Sequence, residues 1–218
     1  MKTLLVMVPM KPSLHPALKH KQRSQLSKMQ LANPDLKVEV IVDERGLGDG
    51  NPNDLRKRVA HIAPIRQAML DDYLEDHHDL VLWIDADIND YDVSLPTKLL
   101  ERGEGNVAAP LVLHKDPTMP ENYFYDNAGF VENGGWCDPN PPYFKQPGPK
   151  VELDGVGSFY MMPAPVYRAG GRYEASENYT EHYAVCCKAK EMGYKVFAFT
   201  DLIVYHARLM DYGEAQHG

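Results

Sequence analysis

The sequence predicts a single open α/β domain, a mixed sheet flanked by helices. Short apolar runs recur at Leu4–Val8, Val38–Val42, Leu80–Ile84 and Val107–Leu113. The stretches between the first three carry apolar residues at helical spacing, the alternation that builds a sheet with helices on its faces. The run Leu80-Val81-Leu82-Trp83-Ile84 shows no period-2 alternation, which suits a strand covered on both sides.

Taken in order, Leu4–Val8 is a first strand that Pro9 and Pro12 end. Leu18, Leu26 and Met29 then recur among lysines and glutamines and predict a surface helix from about Pro16 to Leu31. Val38, Val40 and Val42 form a second strand, followed by the turn-rich loop Gly46–Asn53, whose glycines fit neither a dinucleotide fingerprint nor a P-loop. Asn53 is placed to cap a helix through Leu55, Val59 and Ile62, with Pro64 forcing a break or fresh start before Met69 and Leu70. The third strand, Leu80–Ile84, follows. Ser94 caps a short helix through Leu100, and Val107–Leu113 is another strand.

From His114 to Lys150 the chain is rich in proline, glycine and aromatic residues, and a long stretch with little regular structure inside a compact domain is usually functional. Tyr123, Tyr125 and Trp136 among polar neighbours offer ring faces for the C–H side of a sugar acceptor. Ser158–Met162 is a further strand. Asn178 stands three before Glu181, a capping-box spacing opening a helix from Thr180 to Met192, and the short strands Val196–Phe199 and Leu202–Tyr205 close the pattern.

The 218 residues suit one domain with a substantial core. A formal net charge of -8 argues against non-specific nucleic-acid binding, and no apolar run approaches the roughly 20 residues of a membrane span. Three cysteines, two of them adjacent, make no disulfide framework. The sequence reads as cytoplasmic, or as one domain of a longer protein. Asn178-Tyr179-Thr180 matches a glycosylation sequon but reads as a helix start.

The chemistry centres on Asp85-Ala86-Asp87. Strands of an open α/β sheet deliver function at their carboxyl ends, and two carboxylates around the small Ala86 can reach one divalent cation that also holds a diphosphate. His206 ends a later apolar strand and completes a set of two carboxylates and an imidazole, which accepts Mn2+ or Mg2+. Arg66 offers a planar fork for phosphate. Asp43, ending the second strand beside the presumed base pocket near Pro9, can accept from a base N–H. Glu181 reads equally as a helix cap. His77-His78-Asp79 precedes its strand and so lies at the wrong end of the sheet.

Leu82–Asp87, Ile65-Arg66-Gln67-Ala68, Asp154-Gly155-Val156-Gly157, Thr180-Glu181 and Val204-Tyr205-His206 resemble, in that order, the fungal Anp1-type mannosyltransferases of the GT-A superfamily. The likeness runs from about Ala60 to His206, and a fainter one joins glycosyltransferase domains encoded by large algal viruses. It implies a GT-A-like (Rossmann-type) fold and a retaining transferase that moves a sugar from a UDP- or GDP-linked donor to a glycan or glycoprotein. Carried over, Asp85, Asp87 and His206 hold the metal; Arg66 binds nucleotide or diphosphate; Asp154 and Gly155 line the donor sugar; and Glu181 lies near the anomeric carbon, with Asp154 and Glu181 as the catalytic pair. Gln67 departs from the family's Arg-Asn. Residues 1–113 would form a nucleotide-binding half and 114–218 an acceptor half. The competing readings are a nucleotidyltransferase on sugar phosphates, which should show a glycine-rich first loop with a lysine, and a non-catalytic glycan-binding module, which needs no metal set.

Overall fold

In the computed structural model, which describes residues 1–45, 55–115, 120, 122–176 and 178–206, the parallel core of the sheet comes from the first half of the chain. Strand β1 (Lys2–Pro9) pairs in parallel with β2 (Leu36–Asp43) on one side and β3 (Leu80–Ile84) on the other. Every residue of β3 is buried, as its unalternating sequence requires. Beyond β3 the sheet becomes mixed. Short β4 (Ile88–Asp90), β5 (Val107–His114), β8 (Lys150–Glu152), β9 (Phe159–Pro163) and β10 (Val196–His206) extend it in the order β2-β1-β3-β9-β5-β10-β4, with β8 also on β10. Strand β9 runs antiparallel to β3 and β5, while β10 runs parallel to β5 and antiparallel to β4 and β8. The two short strands expected at the end of the chain are one strand, β10, with a register shift between Phe199 and Ile203.

Helix α1 (Pro16–Ala32) buries Leu18, Leu26 and Met29. Helix α2 (Leu55–Tyr73) is continuous through Pro64, where a break was expected. Pro64 and Ala60 are both exposed, so the lost Ala60 hydrogen bond and the ring's crowding of that carbonyl fall on the solvent side of the helix, where water can reach the carbonyl. The buried face of α2, at Val59, Ala63, Arg66 and Leu70, then keeps one helical phase across the proline. The proposed cap Asn53 and the loop Gly46–Asn53 lie outside the described residues. Helix α3 (Leu95–Gly103) starts at Ser94, whose side chain makes no cap bond; its N–H and hydroxyl both donate to Asp92 instead. Helix α4 (Ala164–Arg168) follows β9, and α5 (His182–Glu191) precedes β10.

The excursion after β5 is organised around its own rings. Phe124 meets Phe130 and Phe144 edge-on at 4.9 and 5.9 Å, and all three are buried. A two-stranded hairpin, β6 (Val131–Glu132) and β7 (Gly135–Trp136), projects from this cluster. Glu132 ties it down by accepting from the backbone N–H groups of Lys145 and Gln146 at 2.8 and 3.1 Å.

Pro64→Ala should raise stability by about 1–2 kcal/mol, the helix-interior cost of proline less the entropy it removes from the unfolded chain. Denaturant titration checks this; a variant less stable than the parent would show that the ring is needed where it stands.

Candidate active site

Parallel strands that end together put their following residues together. Pro9 ends β1, Asp43 ends β2, Asp85 follows β3 and His206 ends β10. Ser158, just before antiparallel β9, reaches the same edge and accepts the Asp85 N–H at 2.8 Å. A cleft of about 210 Å3 lies there. Its walls hold Pro9, Asp43, Arg66, Asp85, Ala86, Asp87, Tyr125 and Glu181 among the residues expected from sequence.

Arg66 is the centre of this edge. Its side chain is only 2% exposed, one Nη donates to Asp85, and Nε donates to Glu181 at 3.0 Å. The guanidinium also sits 5.2 Å from the Trp83 ring centroid. Burial works against its charge, but Asp85 and Glu181 outweigh that and hold it cationic. With Nε and one Nη engaged on carboxylates and the other Nη without a partner, Arg66 positions those two groups. Glu181 occupies the N-cap position of α5 yet makes no cap bond; its carboxylate turns to Arg66 and lies 3.2 Å from His182 Nε2. Burial and the neighbouring Arg66 push His182 well below the usual histidine range, so it is neutral.

Asp87 and His206 meet directly, Oδ2 to Nε2 at 3.1 Å. Burial disfavours the Asp87 charge, but His206 outweighs it and draws the carboxyl down to about 2; burial likewise opposes protonation of His206, and Asp87 prevails, raising it. His206 is not among the residues that line the cleft; its buried Nδ1 has no partner, and Tyr125 stacks on the ring at 3.6 Å. Two donors about 3 Å apart match adjacent ligands on a cation with bonds of about 2.1 Å. The pair therefore fits a divalent metal.

Asp85, committed to Arg66, stands apart from that pair. Among the described residues, the trio of ligand atoms that all lie within 4.8 Å of one another is Glu39, His77 and His78. That trio is at the opposite end of the sheet. There His78 Nδ1 accepts the Glu75 N–H at 2.9 Å, so the proton sits on Nε2, facing Glu39 at 3.2 Å, and the lone pair a metal would need is absent.

Asp43 lines the cleft, but its carboxylate is occupied by the Arg45 N–H and guanidinium, whose hydrogen bonds hold it below the usual range. Asp154 and Gly155 are not among the cleft residues. The Asp154 carboxylate accepts the Gly134 N–H at 2.9 Å and pairs with Lys190, and Gly155 bridges to Val131. Tyr123 packs 5.8 Å from His114, outside the cleft, and Trp136 is 53% exposed on the hairpin.

Sequence reading missed Lys11, Arg58, His61, Asp126 and Ser158, all of which line the cleft. Arg58, Ile62, Ile65 and Arg66 form one helical face, a signal that a break at Pro64 obscured. Asp126 had no signal beyond its place in the aromatic stretch. Burial, with Asp85 and Glu181 nearby, pushes its carboxyl up to about 7, and its buried Oδ2 has no partner. It fits beside Gly157, where a Cβ would come within 2.8 Å of Oδ2 and 3.0 Å of His182 Cδ2.

No family model and no curated protein matches the chain. Solved structures do. The catalytic domain of Drosophila beta1,4-galactosyltransferase 7, in complex with xylobiose, matches 95% of this chain and 71% of its own with a TM-score of 0.50 at 9% identity. A mutant of that enzyme in complex with manganese, UDP-Gal and xylobiose matches over the same shares with a TM-score of 0.51 at 9% identity. Residues 1–349 of TarS from S. aureus match at 15% identity with a TM-score of 0.50, over 95% of this chain and 60% of that one. The fold is thus the GT-A type seen in nucleotide-sugar glycosyltransferases. These likenesses do not reach the Anp1 family specifically.

Two variants read this edge. Arg66→Lys cannot serve both carboxylates with one ammonium, so it should cost about 3 kcal/mol or more, as for a broken buried ion pair, in denaturant unfolding. Asp126→Asn tests the raised carboxyl. The folded protein keeps this proton up to about pH 7, whereas the unfolded chain releases it near roughly pH 4. Stability from this group is therefore full below about pH 4 and lost as pH rises through about 7. The variant should melt several degrees above the parent at pH 8 and level with it at pH 4; a gap constant with pH would refute the shifted carboxyl.

Proposed function

We propose that this chain is a metal-dependent glycosyltransferase that moves a sugar from a nucleotide diphosphate donor to a hydroxyl of a glycan or glycoprotein. The carrying observation is the Asp87–His206 pair, Oδ2 to Nε2 at 3.1 Å with the imidazole Nδ1 unpartnered, at the carboxyl edge of a GT-A-type sheet where Asp87 lines the cleft. The manganese and UDP-Gal bound by a structural neighbour make Mn2+ and UDP-sugars the first ligands to offer, with Mg2+ and GDP-sugars next.

Asp87 and His206 would hold the metal, with Asp85 at its edge. When bound, the metal neutralises charge on the departing diphosphate. Lys11 and Arg58 bring further positive charge to the same walls. Arg66 keeps Asp85 and Glu181 in fixed directions, so that Glu181 presents a carboxylate to the sugar end of the cleft. Tyr125 packs over His206 and excludes water from that side of the pair. Retention of configuration is supported by the shared order of motifs with retaining enzymes and by a cleft-facing Glu181. Both proposed halves, 1–113 and 114–218, contribute walls to the cleft. The proposed cytoplasmic location is supported by Cys137, Cys186 and Cys187 standing as free thiols; no helix among the described residues is long and apolar enough to cross a membrane.

Calorimetric titration of UDP and GDP with and without Mn2+ tests the reading, alongside hydrolysis of a UDP- and GDP-sugar panel. Binding should depend on the metal, and Asp87→Ala should weaken it at least tenfold. Equal nucleotide affinity in parent and variant would sink the metal pair, and no hydrolysis or transfer across the panel would sink the transferase. The anomer of the released sugar, read by NMR, settles retention against inversion.

A further inference from the structure

The hairpin β6–β7 holds an exposed tryptophan with more care than a stray surface residue needs. Asn133 and Gly134 have φ of +51° and +73°, the two-residue turn of the primed type that Asn-Gly favours. Asp154 accepts the Gly134 N–H and pairs with Lys190 of α5, clamping the turn to the body of the protein. Trp136 is 53% exposed, yet its indole N–H donates to the Asn178 carbonyl at 3.2 Å. The Tyr179 hydroxyl donates to the Gly134 carbonyl at 2.9 Å, and its ring stacks on Tyr183 at 4.0 Å and 24°.

This cluster adjoins the cleft along the chain. Thr180 and Glu181 line the cleft wall, and Asn178, which holds the indole, is two residues from Thr180, a span of at most ~7 Å of chain. Exposed Asn133 and Asn178 and the Asp154–Lys190 pair rim the rings. A ring face bordered by amides, a carboxylate and an ammonium matches a pyranose, whose C–H face stacks while its hydroxyls find polar partners. A protein partner would need about 800 Å2 of contact surface, far more than one indole and two phenols offer. A nucleic acid would meet a chain of net charge -8.

We infer that Trp136, with Tyr179 and Tyr183 beside it, forms a carbohydrate subsite that takes a pyranose of the acceptor glycan beyond the residue being glycosylated, and that Asp154 is the positioning residue holding this platform. The inference rests on the glycosyltransferase reading for its acceptor. Holding the indole in advance lowers the ordering cost of binding, so the platform favours oligosaccharide acceptors over single sugars.

Intrinsic fluorescence tests it without a donor. The chain has two tryptophans, and Trp83 is fully buried, so a change on adding sugar reports Trp136. The probes are neutral di- and trisaccharides of gluco, galacto, manno and xylo configuration, with their monosaccharides. At least one oligosaccharide should shift the emission to the blue and reduce acrylamide quenching about twofold, at concentrations at least tenfold below its monosaccharide. Trp136→Phe should abolish the response. Tyr179→Ala and Asp154→Asn should weaken it at least tenfold with melting temperature unchanged. No response across the panel, or equal affinity for mono- and oligosaccharides, overturns the platform. In turnover, Trp136→Ala should raise KM for the oligosaccharide acceptor at least tenfold and leave donor hydrolysis unchanged; equal losses overturn the subsite. Absence of all donor hydrolysis would instead strike the transferase reading, which the fluorescence titration does not depend on.

Discussion

A cation buried at the edge of a sheet is costly unless its partners are fixed, and here it fixes them in return. Arg66 lies 19 residues from Asp85 and 115 from Glu181 in sequence, so one guanidinium joins α2, the end of β3 and the start of α5. Removing either carboxylate would leave a buried charge half-compensated, a penalty larger than the net worth of the pair. The aromatic floor lowers that cost. Trp83 and Tyr173 place ring faces within 5.2 and 6.0 Å of the guanidinium, and the Trp83 indole donates to the Tyr167 hydroxyl at 2.9 Å, which in turn meets the Tyr173 hydroxyl at 2.9 Å. One Arg66 nitrogen still has no partner, the residual cost of a geometry set by its two carboxylates.

That arrangement bears on the proposed metal. Asp85, Asp87, Asp126 and Glu181 all line the cleft beside Asp43, whose carboxylate Arg45 holds, and a diphosphate brought among these carboxyl groups would meet repulsion that Lys11 and Arg58 at the walls do not balance alone. The structure already relieves part of this crowding: Arg66 shares one positive charge between Asp85 and Glu181, His206 pairs with Asp87, and Asp126 responds by holding its proton to about pH 7. A cation between Asp87 and His206 would turn the remaining excess negative charge into a binding surface for phosphate.

The sheet was legible in the sequence because apolar runs report burial directly. Leu80–Ile84 announced a strand covered on both faces, and Asp85 and His206 stood at strand ends that parallel pairing brings to one edge. What sequence could not show was the pairing of side chains across long separations. Glu181 carries a capping-box spacing with Asn178, yet Arg66, 115 positions earlier, takes its carboxylate. Asp154, in a turn that resembles a known family's, reads as a donor-site residue, whereas its two oxygens are spent on Gly134 and Lys190. Asp126 is invisible for the opposite reason: its character comes from burial beside Gly129 and Gly157, not from any residue next to it. Pro64 misled because the lost N–H bond and the ring's crowding of the Ala60 carbonyl cost stability without ending a helix whose buried face keeps one phase.

The Asn133-Gly134 turn shows how a local signal acquires a distant purpose. Asn-Gly between short strands specifies a tight hairpin on its own, and a hairpin alone is marginal in water. Asp154 and Glu132 supply what it lacks, one binding the turn to α5 through Lys190, the other tying the strand to the Lys145–Gln146 backbone. The result is a hairpin tied to the body of the protein at both ends, with the indole held in solvent by the Asn178 carbonyl. Rigidity at the sheet edge comes from a buried ion cluster and rigidity at the rim from surface hydrogen bonds, so the two ends of the site differ in what loosens them. Salt and mild heating should reach the Asp154–Lys190 clamp first, because its lysine is 42% exposed, while Arg66 at 2% is screened by the core around it.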